Sequence, residues 1–388
     1  MIQTQKFSVP SIFMEQNRAS AQKSKLVALD IGYSGVKCFT DNLYACFPSL
    51  ARRIDVDNII GEPRPDDILY KDNNGKVWTV GAGALRSMTL SDTNESEFTL
   101  YSRHRYDSEM FKVIYRVGMG LCLTGECDTP CRGDRPAFLQ TGLPPAYMKS
   151  DESDIINALA GSHLFYIKRG NEKWREINFD LPEKNISVMP QPMGSLYSVS
   201  FNEDGNMIPG AKGYFKSGIL GFDSGFGTAD TFIIQNGELK SYESFDDLGM
   251  KIVYKRLSEQ IHKSYGIHIP LQAIQKTLID GHIKILDKKN MKTEIKGISD
   301  LLYRCSHEVC NEAIERLKTS YNYLQDVRYL LLTGGTGEAW RDSILKHFAD
   351  MQRLHIIMGN VNSPALPQIF SNVRGYYYYR LNHLNKSS

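Results

Sequence analysis

Net charge is what this sequence most plainly lacks. Its 46 lysines and arginines nearly cancel its 44 acidic residues, leaving a formal +2 over 388 positions. A chain that grips nucleic acid or an anionic membrane directly shows a basic excess or stripe, so this balance offers no footprint for either. Any association with DNA is expected to be indirect. Long apolar runs are missing as well. Nothing approaches the roughly 20 apolar residues that cross a bilayer. The amino-terminal stretch holds only the short apolar piece Ile12, Phe13 and Met14, without the apolar core of a signal peptide. The cytoplasm is the expected location, and residues 1–24 read as a flexible tail in preference to an interaction arm.

Cysteine is sparse and odd in number. Seven cysteines in so long a chain fit reduced thiols better than a disulfide framework. Three of them, Cys122, Cys127 and Cys131, crowd into CLTGECDTPC. A structural zinc site takes four ligands, and here no fourth ligand or neighbouring histidine completes the set. Metal binding by these cysteines is not expected.

What is present is the profile of an ordinary folded protein, 41% hydrophobic and 23% charged. The length suggests two domains. LVALDIG (26–32) reads as a buried strand, followed by strands in VKCFTD and LYACFPSL. SEMFKVIYRVGMGLCLTG has apolar residues at helical spacing. AFLQTGLPPAYM is a strand stopped by Gly142, Pro144 and Pro145, and a helix follows with Ser150 or Asp151 placed to cap it. Further helices are expected over about 248–264, with Asp246 or Asp247 as cap, and over about 299–323. VRYLLLTGGTGEAW runs from strand into helix. Strands alternating with helices indicate α/β layers.

One arrangement occurs twice. LVALDIGYSGVK places Asp30 at a strand end, then Gly32 and Gly35, then Lys37; LGFDSGFGTADTFII places Asp223 before Gly225 and Gly227. Glycines after a strand let the backbone turn and approach a ligand with free amides, which suits phosphate oxygens. Ordinary hairpins use the same residues, so either loop alone carries little weight. Together they point to a nucleoside triphosphate. Mg²⁺ keeps most of its water shell and uses one or two protein carboxylates, and Asp30 and Asp223 are suited to hold those waters. Lys37 would supply a positive charge, Ser34 and Thr228 hydroxyl donors, and Asp230 a brace for the second loop or the metal's water shell. Against this stands the plainer reading: turn-initiating aspartates, a solvated lysine and a helix-entry loop at Gly334–Gly337.

These stretches resemble the two phosphate loops of the actin-like ATPase superfamily. LLLTGGTGEAW is similar to its adenosine-binding strand-turn-helix, with Gly334, Gly335 and Gly337 lying against the sugar and base. The resemblance covers nearly the whole chain from about Lys25. It implies two similar α/β domains, ribonuclease H-like and duplicated, with the nucleotide in a cleft between them. The first domain would be 25–205, joined by a returning C-terminal helix at 359–388, and the second 206–358. The implied nucleotide contacts are Gly32, Tyr33, Ser34, Gly35 and Lys37, then Gly225, Phe226, Gly227 and Thr228, then Gly334, Gly335, Thr336 and Gly337. Within the superfamily, ISVMPQPMGSLYSV is similar to the strand-to-helix junction of ParM-type plasmid-segregation actins. Those proteins carry a glutamate where Gln191 stands here. The implied role is to position the attacking water, and an amide would orient it rather than take its proton. A polar helix-start residue is the bland alternative for Gln191.

The resemblance implies an ATPase, using ATP or GTP with Mg²⁺, that assembles with copies of itself into filaments. It further implies plasmid segregation through a DNA-binding adaptor, with no direct nucleic-acid or membrane contact. Two other readings stand beside it: a small-molecule kinase of the sugar/acetate kinase superfamily, and a nucleotide-dependent scaffold that forms no filament.

Overall fold

The computed structural model describes residues 2–16, 25–55, 61–88, 103–124, 136–287 and 290–387. They fall into two compact units. The first draws on 10–16, 25–55, 61–87, 103–124, 136–211 and 359–387, the second on 2–9, 88, 212–287 and 290–358.

The first unit holds a six-stranded sheet in the order β1-β4-β3-β2-β8-β11. These strands are β1 (Ile12–Glu15), β2 (Lys25–Ile31), β3 (Gly35–Phe39), β4 (Leu43–Pro48), β8 (Ala137–Leu143) and β11 (Ile186–Pro190). From Leu26 to Ile31 every residue of β2 is buried. A run without alternation needs cover on both faces. Helix α2 (Glu109–Thr124) packs against β2 and β3, and α10 (Ser371–Ser387), from the far end of the chain, packs against β2, β3 and β8. A second sheet of five strands runs β10-β9-β6-β7-β5. It is built from β5 (Ala51–Ile54), β6 (Ile68–Asp72), β7 (Val77–Val80), β9 (Gly161–Arg169) and β10 (Arg175–Leu181). The short α1 (Ala82–Arg86) follows β7, and α3 (Met148–Leu159) leads into β9.

Helix α4 (Gln191–Ser200) leaves β11 directly and crosses α10 at two glycines. A methyl group on Gly375 would overlap the carbonyl of Gly194. Arg374, almost wholly buried, donates to the carbonyls of Ser198 (2.6 Å), Asn202 (2.9 Å) and Phe201 (3.1 Å). These carbonyls sit at or just past the end of α4, where the helix leaves its own acceptors open and favours a cation.

The second unit is built on a five-stranded sheet, β14-β13-β12-β17-β18. Its strands are β12 (Ile219–Ser224), β13 (Ala229–Gln235), β14 (Glu238–Phe245), β17 (Tyr329–Thr333) and β18 (His355–Met358). The short α5 (Ala211–Lys216) leads into it, and α6 (Met250–Tyr265), α7 (Leu271–Asp280), α8 (Ser299–Ser320) and α9 (Gly335–His347) complete the unit. A separate hairpin pairs β15 (His282–Asp287) with β16 (Lys292–Gly297). The two principal sheets repeat one plan. In each, an antiparallel meander (β4-β3-β2, β14-β13-β12) continues through two parallel strands (β8 and β11, β17 and β18).

Three local expectations are corrected. Residues 1–24 are not a tail throughout, because Thr4–Phe7 form a 3-10 turn with Phe7 in the second unit's core and Ile12–Glu15 pair with β4. Their apolar residues are too few and too scattered for a pattern to register, yet Phe7 enters one core and Phe13 packs against the other. Helix α3 starts at Met148, out of a turn at Pro145–Tyr147, so Ser150 and Asp151 lie in its first turn rather than capping it. Helix α6 is capped at Gly249 without a side chain, not by Asp246 or Asp247. Of the clustered cysteines, Cys122 is a buried free thiol, while Cys127 and Cys131 lie outside the described residues. No helix among the described residues is long and apolar enough to cross a membrane.

The glycine crossing gives a direct test. Gly375→Ala should lower stability by about 3 kcal/mol through overpacking, seen as an earlier urea midpoint with an unchanged slope. An unchanged midpoint would remove the close crossing.

Candidate functional site

The first candidate loop joins β2 to β3. Antiparallel pairing sets Asp30 directly across from Lys37. Their side chains meet at 3.1 Å, with Asp30 only 6% exposed. The Gly32 amide donates to the Gly35 carbonyl at 3.1 Å, closing the turn. Gly32 has no left-handed backbone; its requirement is space, since a Cβ there would sit 2.9 Å from the Gly35 oxygen and 3.0 Å from the Lys37 ammonium. Ser49 holds the loop from behind. Its hydroxyl donates to the Gly32 carbonyl (2.7 Å) and its amide to the Ser34 carbonyl (2.9 Å).

Gln191 reaches the same carboxylate. It opens α4, and its side-chain amide donates to Asp30 Oδ1 at 3.2 Å, while Lys37 takes Oδ2. Lys37 and a residue 161 positions from Asp30 thus share one buried carboxyl group. With its nitrogen on Asp30, Gln191 retains its carbonyl oxygen as an acceptor for a water.

Sequence reasoning missed Arg105. Its guanidinium is 9% exposed, donates to the Ile31 carbonyl at 2.6 Å and lies 4.3 Å from the centre of the Tyr33 ring. A buried cation here stiffens the loop through a carbonyl and a ring face. No spacing signal links Arg105 to a loop more than seventy residues earlier.

The second loop, between β12 and β13, copies the first. Asp223 faces Asp230 across the ladder, at the same seven-residue separation as Asp30 and Lys37. The Gly225 amide donates to the Thr228 carbonyl at 2.9 Å, matching Gly32 and Gly35. The residue opposite the aspartate is now acidic, and this changes the chemistry. Burial pushes the Asp230 carboxyl up to about 8; hydrogen bonds from Ser244 and Thr228 oppose the rise, and the nearby Asp223 adds to it. Asp230 is therefore mainly neutral near pH 7. The Thr228 hydroxyl, expected as a ligand donor, donates to Asp230 Oδ2 at 3.0 Å.

The third glycine stretch lies against the second loop. Gly334 has φ +84°, and a Cβ there would come within 2.6 Å of Asp223 Oδ1 and overlap the Ser224 carbonyl. Only glycine fits. Gly335 and Gly337 begin α9, and between them the Thr336 hydroxyl donates to the Gly225 carbonyl at 2.7 Å. From the other side, the amides of Met250 and Lys251, at the start of α6, donate to the carbonyls of Gly225 and Phe226. Gly249 leaves no room for a side chain beside the Phe226 carbonyl.

Each unit thus assembles its own share of the expected residues: Asp30, Lys37 and Gln191 in the first, Asp223, Asp230, Gly334 and Thr336 in the second. In each unit a carboxyl group stands near a strand end, paired to Lys37 in the first and beside the buried Asp230 in the second, and hard oxygens of this kind are what Mg²⁺ takes in small number. The tight contacts at Gly32 and Gly334 are with the protein's own atoms, and they fix the loop backbones beside Lys37 and Asp223.

A family model described as the N-terminal domain of actin-like proteins matches residues 28–194. No curated protein matches the chain in sequence. Among solved structures, the chain is similar to the pCBH ParM non-polymerisable quadruple mutant, with a TM-score of 0.69 at 18% identity, covering 92% of this chain and 99% of that one. It is also similar to the subunit of a 15-stranded ParM filament from Clostridium botulinum, at TM-score 0.68 and 17% identity, covering 93% and 100%. An archaeal actin homologue, Ta0583, in complex with ADP matches at TM-score 0.60 and 14% identity, covering 92% and 99%.

The acidic pair makes stability depend on pH. A carboxyl whose folded pKa is raised from 3.8 to about 8 contributes stability that is full below about pH 4 and is lost as pH rises through 8. Asp230→Asn should remove that loss. Its urea midpoint should gain on the unaltered protein between pH 4 and 8, and a constant difference across that window would refute the buried neutral acid.

Proposed function

We propose that this chain, which has the actin-like fold, binds a nucleoside triphosphate with Mg²⁺, assembles into filaments and hydrolyses the nucleotide within them. The single observation that carries this reading is the repeated hairpin, in which a strand-terminal aspartate stands opposite the residue seven positions on. Mg²⁺, when bound, neutralises phosphate charge through waters that Asp30 and Asp223 would hold. Lys37 supplies a fixed cation at the first loop, and the amides around Gly32 and Gly225 offer donors to phosphate oxygens. Gly334, Gly335, Thr336 and Gly337 would receive the sugar and base. Gln191, tied to Asp30 through its nitrogen, orients the attacking water with its carbonyl oxygen and does not take the proton.

The filament reading is supported by the similarity to a ParM filament subunit and to the subunit of an Alp12 filament. The nucleotide reading is supported by the ADP complex of the archaeal homologue. By the ParM likeness, the filament moves plasmid DNA in the cytoplasm through a DNA-bound adaptor, in keeping with a net charge of only +2.

Adding ATP with Mg²⁺, or GTP in a parallel series, should raise light scattering, which falls back as phosphate is released. No assembly at any concentration, with phosphate passed to a metabolite instead, would favour a kinase. Asp223→Ala should abolish hydrolysis and weaken magnesium-dependent binding. Gln191→Ala should bind normally but release phosphate more slowly, on the order of 100-fold, the scale for a lost positioning contact. Normal turnover in Gln191→Ala would remove its assigned role.

A further inference from the structure

The second glycine loop has a neighbour that the nucleotide reading does not use. Phe226, at the loop's tip, packs edge-on against Tyr254 of α6, with ring centres 5.2 Å apart and planes at 76°. Tyr254 is 1% exposed. Its hydroxyl donates to the carbonyl of Phe7 at 2.6 Å. The residues around Phe7 are themselves anchored in this unit. Thr4 donates to the Leu278 carbonyl (2.7 Å) and Gln5 to that of Ile279 (3.1 Å), both at the end of α7. Phe7 and Tyr254 belong to one buried cluster, and Phe226 packs at its margin.

We propose that the amino-terminal segment is a positioning element for the second loop, acting through Tyr254, and that its seating is linked to nucleotide binding. This rests on the nucleotide reading of the site. One ring touches the loop on one side and holds the segment on the other. Helix α6 ties both together, because its first amides carry the loop carbonyls while Tyr254 sits one turn further along. A ligand that orders the loop favours the ring position that seats Phe7, and a seated Phe7 favours the ordered loop. Such coupling is reciprocal. Phe226 without this backing keeps its place in the chain but loses the wall that fixes its ring.

The experiment titrates ADP with Mg²⁺, and GDP with Mg²⁺ in parallel, into the full chain and its Tyr254→Phe variant. The substitution keeps the ring and removes only the donor. The dissociation constant should rise about fivefold, the scale of one buried hydrogen bond. A chain lacking residues 1–8 should weaken at least as much, and Tyr254→Phe should then cost nothing more, because the partner is already gone. Reciprocally, saturating diphosphate should slow amide exchange at Lys6 and Ser8, whose amides bond to the carbonyls of Gln3 and Gln5. That protection should vanish in Tyr254→Phe. An unchanged dissociation constant in Tyr254→Phe, an equal cost in the shortened chain, or exchange indifferent to nucleotide each overturns the proposal. Should the shortened chain not fold, exchange in Tyr254→Phe decides alone. An unaltered protein that binds neither diphosphate refutes the nucleotide reading itself, and the coupling with it.

Discussion

Antiparallel pairing at the end of a buried strand is the constraint on which the rest depends. When a strand ends in aspartate and returns through a tight turn, the ladder decides which residue faces that carboxyl group. In both units the residue comes seven positions later, and in both the turn closes with a glycine amide on a carbonyl three residues ahead. Backbone geometry is therefore shared. Side-chain chemistry is not. Lys37 gives the first aspartate a partner of opposite sign, while Asp230 gives the second a neighbour that burial keeps protonated. One scaffold thus presents a carboxylate paired with a lysine in one place and a carboxyl group beside a buried, hydrogen-bonded acid in the other.

The surroundings of each hairpin reinforce this division. Around the first, Ser49, Gln191 and Arg105 each touch a different part of the turn, so the loop is held by hydroxyl, amide and guanidinium. Around the second, support is mostly backbone: the start of α6, the Gly334 turn and the Thr336 hydroxyl. A loop held by backbone amides needs glycines where chains approach, which explains Gly249 and Gly334 better than conformational freedom alone. Gly334 needs both.

Much of this was legible in the sequence, for identifiable reasons. The strands that carry Asp30, Asp223 and Thr333 at or next to their last position are apolar runs followed by glycine, and such runs are buried strands in α/β proteins. Long helices such as α6 and α8 show their apolar spacing plainly, and their observed spans differ from expectation only at the ends. Residues brought together by topology could not be read in the same way. Arg105 on Ile31, Tyr254 on Phe7 and Gly375 on Gly194 join positions far apart, and each is an ordinary residue in its local setting. Caps failed for a related reason. The α6 amides that a side chain was expected to satisfy are taken by loop carbonyls from another part of the chain.

The place of α10 has a consequence for how the molecule is made. This helix, which includes the buried Val373, Tyr376 and Tyr378, covers β2, β3 and β8, strands completed before residue 144. On a ribosome those strands emerge long before their cover, with roughly 230 residues still to be synthesised at 5–20 residues per second. For that interval one face of the central sheet stays open, at risk of association with other nascent chains. Closure of the first unit thus waits on a seventeen-residue helix far along the chain and not on the order in which its strands appear.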